Sequence, residues 1–518
     1  MAATSEIDDP DLQNKSRLTE LARHDSRATR LTEASVPICV DLDGTLVKSD
    51  TLVDSVLALA RQHPRQVLQI PGWIAQGKAE FKRHLSAAVS LDVEHLPYNR
   101  TLLEWLRLQH AAGRHLFLAT AADTALAERV AAHIGIFDGV MASDGATNLA
   151  GGNKLAAFRQ RFGDEFCYIG NAPPDAVLLA ACRTPMVANP FPKLSATLRK
   201  TGIVPVETFE DRPPVLKSWL RAIRLHQWAK NTLIFVPLLL GHAWNPGTVA
   251  ASLIAFLSFG MCASATYIIN DLLDIETDRR HPRKRTRPFA AGDVSAIAGA
   301  GAVLLLLAAA FTLAFFLPHI VENMPRGIWL EQPYKFLFWL VLYTVTTLSY
   351  SLHLKRQLLL DVFVLSGLYT VRILAGSAAT GVAISAWLAG FSVFFFLSLA
   401  FVKRFSELEG LRDRGDTVAN GRGYLVGDLE QLRALGTGAA YAAVVVLTIY
   451  INDPKIYVLY HHPIRLWLAV PVLLLWLSQV WMLTSRGQMN DDPVVFAITD
   501  RRSLLLGLLM AVVIWWAL

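Results

Sequence analysis

Tyr267-Ile-Ile-Asn270-Asp271-Leu-Leu-Asp274-Ile-Glu-Thr-Asp278, followed by Arg279-Arg-His-Pro-Arg-Lys284-Arg285-Thr-Arg287-Pro288, is the stretch on which the reading of this chain turns. It closes a long apolar run. Asn270, Asp274 and Asp278 stand at i, i+4 and i+8 with Asp271 beside them, a spacing that predicts four oxygen-bearing side chains on one helix face. Uncompensated, they would repel one another. Carboxylates at the end of a membrane helix default to a functional site. The partner that suits oxygen donors is a hard cation, magnesium carrying a diphosphate. The competing structural reading is a solvated helix end paired with the arginines that follow.

Working outward, apolar segments at about 231–246, 248–270, 294–318, 334–352, 359–380, 386–402, 434–451, 464–483 and 503–518 approach the ~20 residues that cross a bilayer, which predicts nine spans. The first is short and contains Pro237. Loops 279–293, 353–358, 403–433 and 484–502 hold 6, 2, 6 and 3 Lys or Arg, whereas 242–247, 319–333, 381–385 and 452–463 hold 0, 1, 0 and 1. Such asymmetry marks the basic loops as cytoplasmic, and nine spans place the N-terminal region on the same side. A multi-pass inner (plasma) membrane protein with a cytoplasmic N-terminal domain is expected. With 53% hydrophobic and 18% charged residues and a mean hydropathy of +0.36, a wholly soluble protein is excluded. The net charge of +6 then reflects topology, and no nucleic-acid partner is expected.

Residues 1–35 alternate charges and small polar residues and are expected to be a disordered leader with no signal-peptide core. Cys39, Cys167, Cys182 and Cys262 lack metal-site or disulfide spacing, which fits a reducing compartment. From residue 36 to 205, apolar runs such as Pro37-Ile-Cys-Val-Asp41, His115-Leu-Phe-Leu-Ala119 and Phe166-Cys-Tyr-Ile-Gly170 alternate with helical stretches and predict a parallel sheet flanked by helices. Residues 51–110 show helical patterning without a strand, so they are read as a helical cap. A Pro-containing stretch leads into a linker and the start of an interfacial helix over 206–220, and 221–518 forms the membrane domain.

Asp41-Leu-Asp43-Gly44-Thr45 puts two carboxylates at the carboxyl end of a buried strand, where open α/β sheets present ligands. The i, i+2 spacing aims both toward one face, so one could attack and the other donate a proton. Thr120 ends a second strand, Lys154 follows a glycine pair, and Asn171 and Asp175 follow a third. These four stations resemble the haloacid dehalogenase (HAD) superfamily. The resemblance implies a Rossmann-like α/β fold with Asp41 as nucleophile and Asp43 as acid/base. It makes Thr120 and Lys154 phosphate binders, and it places Mg2+ among Asp41, Asp43, Asn171 and Asp175. Asn171 departs from the usual aspartate and removes one negative charge from the metal end.

The Asn270–Asp278 motif resembles the UbiA superfamily of intramembrane transferases, whose aspartates, here Asp271, Asp274 and Asp278, hold a prenyl diphosphate through magnesium. The loop after the sixth span, where aromatic prenyltransferases carry a second acidic motif, reads Phe401-Val-Lys403-Arg404-Phe-Ser-Glu407. Two cations there suit a second phosphorylated substrate better than a neutral aromatic acceptor. Together with Leu225-His-Gln-Trp-Ala-Lys230-Asn231, the Lys284–Gly292 run and Asp491-Asp-Pro-Val-Val-Phe496, the pattern resembles the decaprenyl-phosphate phosphoribosyltransferase branch. That resemblance implies transfer of phosphoribosyl from 5-phosphoribosyl 1-diphosphate to a polyprenyl phosphate. Lys230, Asn270, Lys284, Arg285, Arg287, Lys355, Arg372, Lys403 and Arg404 are candidate substrate binders, with Tyr369 and Glu407 orienting the sugar. The product would carry a 5-phosphate that the HAD-like domain could remove. The competing reading is an aromatic prenyltransferase with a regulatory or inactive HAD-like domain. Oligomeric state stays open, homo-oligomers included.

Overall fold

The computed structural model describes residues 36–144, 148–324, 327–412, 423–454, 456–489 and 493–518. The expected leader at 1–35, and Asp491 with Asp492, lie outside them. The described chain forms two compact units, one of residues 36–222 with Asp271–Ala300, the other of Ile223–Asn270 with Gly301–Leu518.

In the first unit six strands, β1 (Ile38–Val40), β2 (Leu116–Asp123), β3 (Gly139–Ser143), β4 (Cys167–Gly170), β5 (Thr184–Ala188) and β6 (Glu207–Phe209), form one sheet in the order β3-β2-β1-β4-β5-β6. All pairings are parallel, with Cys39 opposite Phe117 on one side and Tyr168 on the other. The β1 side chains Ile38, Cys39 and Val40 are fully buried, as a strand covered by helices on both faces requires. Strand order reverses beside β1, so the carboxyl ends of β1 and β4 flank the crevice that such sheets use for ligands. The insert after β1 is helical throughout: α1 (Thr51–Gln62), α2 (Ile70–Ala75), α3 (Lys78–Ala88) and α4 (Arg100–Ala111). This is the parallel α/β architecture with a helical insert expected from the sequence.

The acidic motif is not one continuous helix. Helix α5 (Pro246–Leu273) ends before Asp274, which leaves helical geometry at φ −99° and ψ 9°, and α6 (Ile275–Arg280) starts afresh. Asp271–Ala300 groups with the sheet-bearing unit, which contiguous boundaries near 205 and 221 do not contain. Ion pairs explain the grouping: Arg279 with Asp54 at 2.8 Å, Arg280 with Asp92 at 2.7 Å, Asp274 with Arg61 at 3.3 Å, and Asp293 with Lys48 at 3.2 Å.

Among the described residues seven helices are long and apolar enough to cross a bilayer: α5, Ala296–Glu322, Lys335–Leu352, α7 (Leu360–Thr380), α8 (Ala386–Arg412), Val426–Ile451 and Pro463–Ser485. The chain is thus a multi-pass membrane protein, with seven helices meeting this criterion among the described residues against the nine segments expected from the sequence. Residues 231–246 instead fall in a 3-10 helix (Leu225–Phe235) and a five-residue helix (Val236–Leu240), with Pro237 in its first turn. The last segment, Arg501–Ala517, has 17 residues, about 25 Å of helix, at the short end of the range that crosses a bilayer. Close packing fixes the irregular segment: a Cβ on Gly376 of α7 would lie 2.1 Å from the Ile234 carbonyl oxygen. Trp228 donates to Ser264 at 2.9 Å while lying over Gly260.

Candidate active sites

At the carboxyl end of β1, Asp41 is buried and its Oδ1 accepts from Lys154 Nζ at 2.8 Å, with Thr45 Oγ1 3.4 Å from Oδ2. Asp43 Oδ1 accepts the backbone N–H of Thr51 at 2.7 Å, which ties the second carboxylate to the start of α1. Gly44, at φ +77°, makes the turn between them. Burial raises both carboxyls above their usual range. For Asp41, at about 6, the Lys154 ammonium opposes the rise; for Asp43, at about 7, the Asp50 charge adds to it. A carboxyl near 7 can hold a proton at neutral pH, which suits a general acid. Thr120, expected to end its strand, instead lies inside β2, which runs on to Asp123; it is fully buried, its hydroxyl accepting from Ala122 N–H at 3.0 Å.

Lys154 also donates to the Tyr168 hydroxyl at 3.2 Å, and Tyr168 donates to Asp175 Oδ1 at 2.7 Å. Asp175 Oδ2 accepts the backbone N–H groups of Asn171 and Ala172 at 3.0 and 2.9 Å. With three bonds to its carboxylate, Asp175 anchors the loop that presents Asn171. Asn171 itself is 1% exposed and neither side-chain Oδ1 nor Nδ2 has a partner, an orphaned buried amide of the kind that marks a binding position. It lies against Gly44, where a Cβ would meet Nδ2 at 2.0 Å. Two carboxylates and a free amide oxygen form a donor set that fits Mg2+.

A cavity of about 170 Å3 opens beside Asp43, lined also by Asp50, Ser55, Lys82, Ser86 and Asp123. Lys82, from α3, is buried and donates to Asn148 Oδ1 at 2.9 Å and to the Ala121 carbonyl. Sequence reading passed over Lys82 and Tyr168. Lys82 belongs to no local motif and Tyr168 reads only as part of the β4 run, so the fold alone brings their side chains to the carboxylates.

In the acidic segment, Arg287 Nη1 donates to Asp271 at 3.1 Å and to Asp278 at 2.7 Å. Both carboxylates are 2% exposed, and burial pushes the Asp278 carboxyl up while Arg287 opposes the shift. Arg287 thus bridges the two carboxylates, the pairing with a following arginine that the competing reading expected, and brings two oxygen donors to one cation. Asp274 is turned toward Arg61 by the break before α6. Lys284 and Arg285 lie on an exposed 3-10 turn.

In the second unit Asn270 Nδ2 donates to Ser351 Oγ at 2.9 Å. Arg372 of α7 is buried. It donates to Asn231 Oδ1 at 2.8 Å, the Leu368 carbonyl at 2.5 Å and the Tyr343 hydroxyl at 3.1 Å, with its guanidinium over the Tyr343 and Tyr369 rings. Tyr369 stacks on Phe396. Arg404 of α8, 1% exposed at its side chain, pairs with Asp361 at 2.5 Å and with Glu407, and Tyr424 donates to Asp361 at 2.5 Å. Its charge is spent inside the protein, against an acid from α7 that sequence separation hid. Lys230 is buried, and Lys355, Lys403 and Glu407 are partly exposed.

Seven apolar helices of spanning length among the described residues, an acidic segment and a parallel α/β unit with a carboxylate pair define a polytopic membrane protein with an added α/β domain. The UbiA prenyltransferase family profile matches residues 232–505. The chain belongs to that family. The "Uncharacterized protein y4nM" of Sinorhizobium fredii is 37% identical over 92% of this chain and 90% of its own length. Nodulation protein NoeC of Azorhizobium caulinodans is 34% identical over 57% of this chain and 92% of its own. The decaprenyl-phosphate phosphoribosyltransferase of Mycobacterium tuberculosis is 34% identical over 38% of this chain and 63% of its own.

Proposed function

We propose that this protein transfers 5-phosphoribosyl from 5-phosphoribosyl 1-diphosphate to a polyprenyl phosphate, and that its HAD-like unit then hydrolyses the 5-phosphate. The observation that carries the proposal is the 34% identity to a decaprenyl-phosphate phosphoribosyltransferase, in a chain that also places Lys154 2.8 Å from Asp41, two residues before a second carboxylate, Asp43.

In the first step a lipid phosphate oxygen attacks ribose C1 as the C1–O bond to diphosphate breaks. Asp271 and Asp278 would hold a magnesium ion, which supplies charge neutralisation for the departing diphosphate, while Asp274 is paired with Arg61. The acceptor is already ionised, so no strong base is required. Lys230, Lys284, Arg285, Arg287, Lys355, Arg372 and Lys403 are assigned to phosphate groups, and Arg404 to orienting Glu407.

In the second step an Asp41 carboxylate oxygen attacks phosphorus and the P–O5′ bond breaks. Asp43 gives its proton to the departing ribose oxygen and then takes one from the water that cleaves the acyl phosphate. Lys154 and Thr120 hold the phosphoryl oxygens, and Asn171 with the two carboxylates would hold a second magnesium ion. The basic loops support an inner-membrane location with the phosphatase unit cytoplasmic.

The test uses purified protein in nanodiscs with labelled donor, polyprenyl phosphate and Mg2+. Asp271→Ala and Asp278→Ala are expected to cut donor consumption by about 100-fold or more, and chelation should abolish it. Full turnover in either case would overturn the transferase reading. Consumption of a prenyl diphosphate with an aromatic acceptor, and none of the ribosyl donor, would replace it with an aromatic prenyltransferase.

A further inference from the structure

The loop that orients Asp43 is held by a residue from the acidic segment. Gly44 N–H donates to the Ser49 carbonyl at 3.2 Å and Thr51 N–H donates to Asp43 Oδ1 at 2.7 Å, so the position of residues 49–51 sets that of the carboxyl. Asp50 caps α1 by accepting from the N–H groups of Leu52 and Val53. In the first turn of α1, Asp54 is 4% exposed, and its Oδ2 accepts from the Ser49 hydroxyl at 2.7 Å and from Arg279 Nη1 at 2.8 Å.

Arg279 is equally enclosed, at 6%. Its Nη2 donates to Ser49 Oγ at 3.1 Å and its Nε to the Ala290 carbonyl at 3.1 Å. Every nitrogen of the guanidinium is therefore used, two of them on the loop behind Asp43 and the third on the chain that follows Arg287. One residue earlier, Asp278 meets Arg287. A buried carboxylate stripped of its counter-charge is strongly disfavoured, so without Arg279 the turn from Ser49 to Asp54 must rearrange, and the Thr51 N–H moves with it.

We propose that Arg279, carried by the acidic segment of the transferase, is a positioning residue for the phosphatase step, fixing through Ser49 and Asp54 the loop that aims Asp43. The proposal rests on the phosphatase reading above. It makes hydrolysis depend on a side chain from the loop assigned to diphosphate. Displacements of about 1 Å at a reacting group cost about 100-fold in rate.

The experiment measures kcat and KM for ribose 5-phosphate with the full-length protein in detergent, comparing wild type, Arg279→Gln, Arg279→Lys, the Arg279→Met/Asp54→Leu double variant and Asp41→Asn. Arg279→Gln is expected to lower kcat about 10- to 100-fold with KM within about threefold, and Arg279→Lys, which keeps the charge against Asp54, to recover most of the loss. Replacing a buried ion pair with apolar side chains commonly preserves stability. The double variant should therefore keep its thermal midpoint within about 5 °C and still lose kcat, a result that mere structural support would not give. Hydrogen exchange at residues 44–54 should accelerate in step. A folded double variant with wild-type kcat overturns the role of Arg279 alone. Absence of hydrolysis by wild type, or equal hydrolysis by Asp41→Asn, overturns the phosphatase reading and this inference with it.

Discussion

Asn171 is where a single residue departs from its surroundings. Its amide is buried with no partner, while the carboxylates around it are bonded to Lys154, Thr51, Tyr168 and backbone N–H groups. A neutral oxygen in that place binds a hard cation more weakly than a carboxylate would. Asn171→Asp is therefore expected to lower the Mg2+ concentration for half-maximal phosphatase activity by about tenfold. Without metal, the added charge faces Asp41 and Asp175, so in chelator the variant should melt below wild type and regain the difference when Mg2+ is added. Titrating Mg2+ in both proteins checks this, and an unchanged requirement would remove Asn171 from the metal site. Asp41, Asp43, Lys154 and Asn171 were legible because each closes a strand or opens a helix in a local pattern. Lys82, Asp361 and Tyr424 were not, since a buried polar residue in an otherwise apolar helix carries no sign of its partner until the fold supplies it.

At the scale of elements, β1, β2 and β4 stood out as uninterrupted apolar runs. By contrast β6 has three residues with two exposed, and β5 contains Pro185, so neither announces itself. The acidic motif followed helical spacing in sequence, yet the chain breaks before Asp274 and hands that carboxylate to Arg61. Periodicity fixes which side chains could share a face only while the helix continues. The irregular Leu225–Phe235 segment is held where α7 lacks a side chain at Gly376. Gly376→Ala should cost about 1–3 kcal/mol by overpacking against the Ile234 carbonyl, visible as a lower thermal midpoint in detergent. Gly367→Ala on the same helix, where an added methyl meets nothing within 4 Å, should leave the midpoint unchanged. Equal behaviour of the two variants would contradict the close approach.

At the scale of the whole molecule, hydropathy and the contrast of basic and neutral loops revealed a polytopic domain joined to an α/β unit. They could not reveal that Arg279, Arg280, Asp274 and Asp293 form ion pairs with residues from the first hundred of the chain, because pairing between distant charges leaves no periodic trace. Nor could a hydropathy average reveal that 231–246 folds as a 3-10 helix followed by a five-residue helix, or that the terminal helix has 17 residues. Two sets of carboxylates in one chain make chemical sense if the second acts on what the first produces, with tethering raising its local concentration. The most direct test is a mass spectrum of the lipid products that wild type and Asp41→Asn form from labelled 5-phosphoribosyl 1-diphosphate and polyprenyl phosphate. Wild type should accumulate the ribosyl lipid without its 5-phosphate and Asp41→Asn the 5-phosphorylated form; identical lipids from both, or no ribosyl lipid from either, would contradict it.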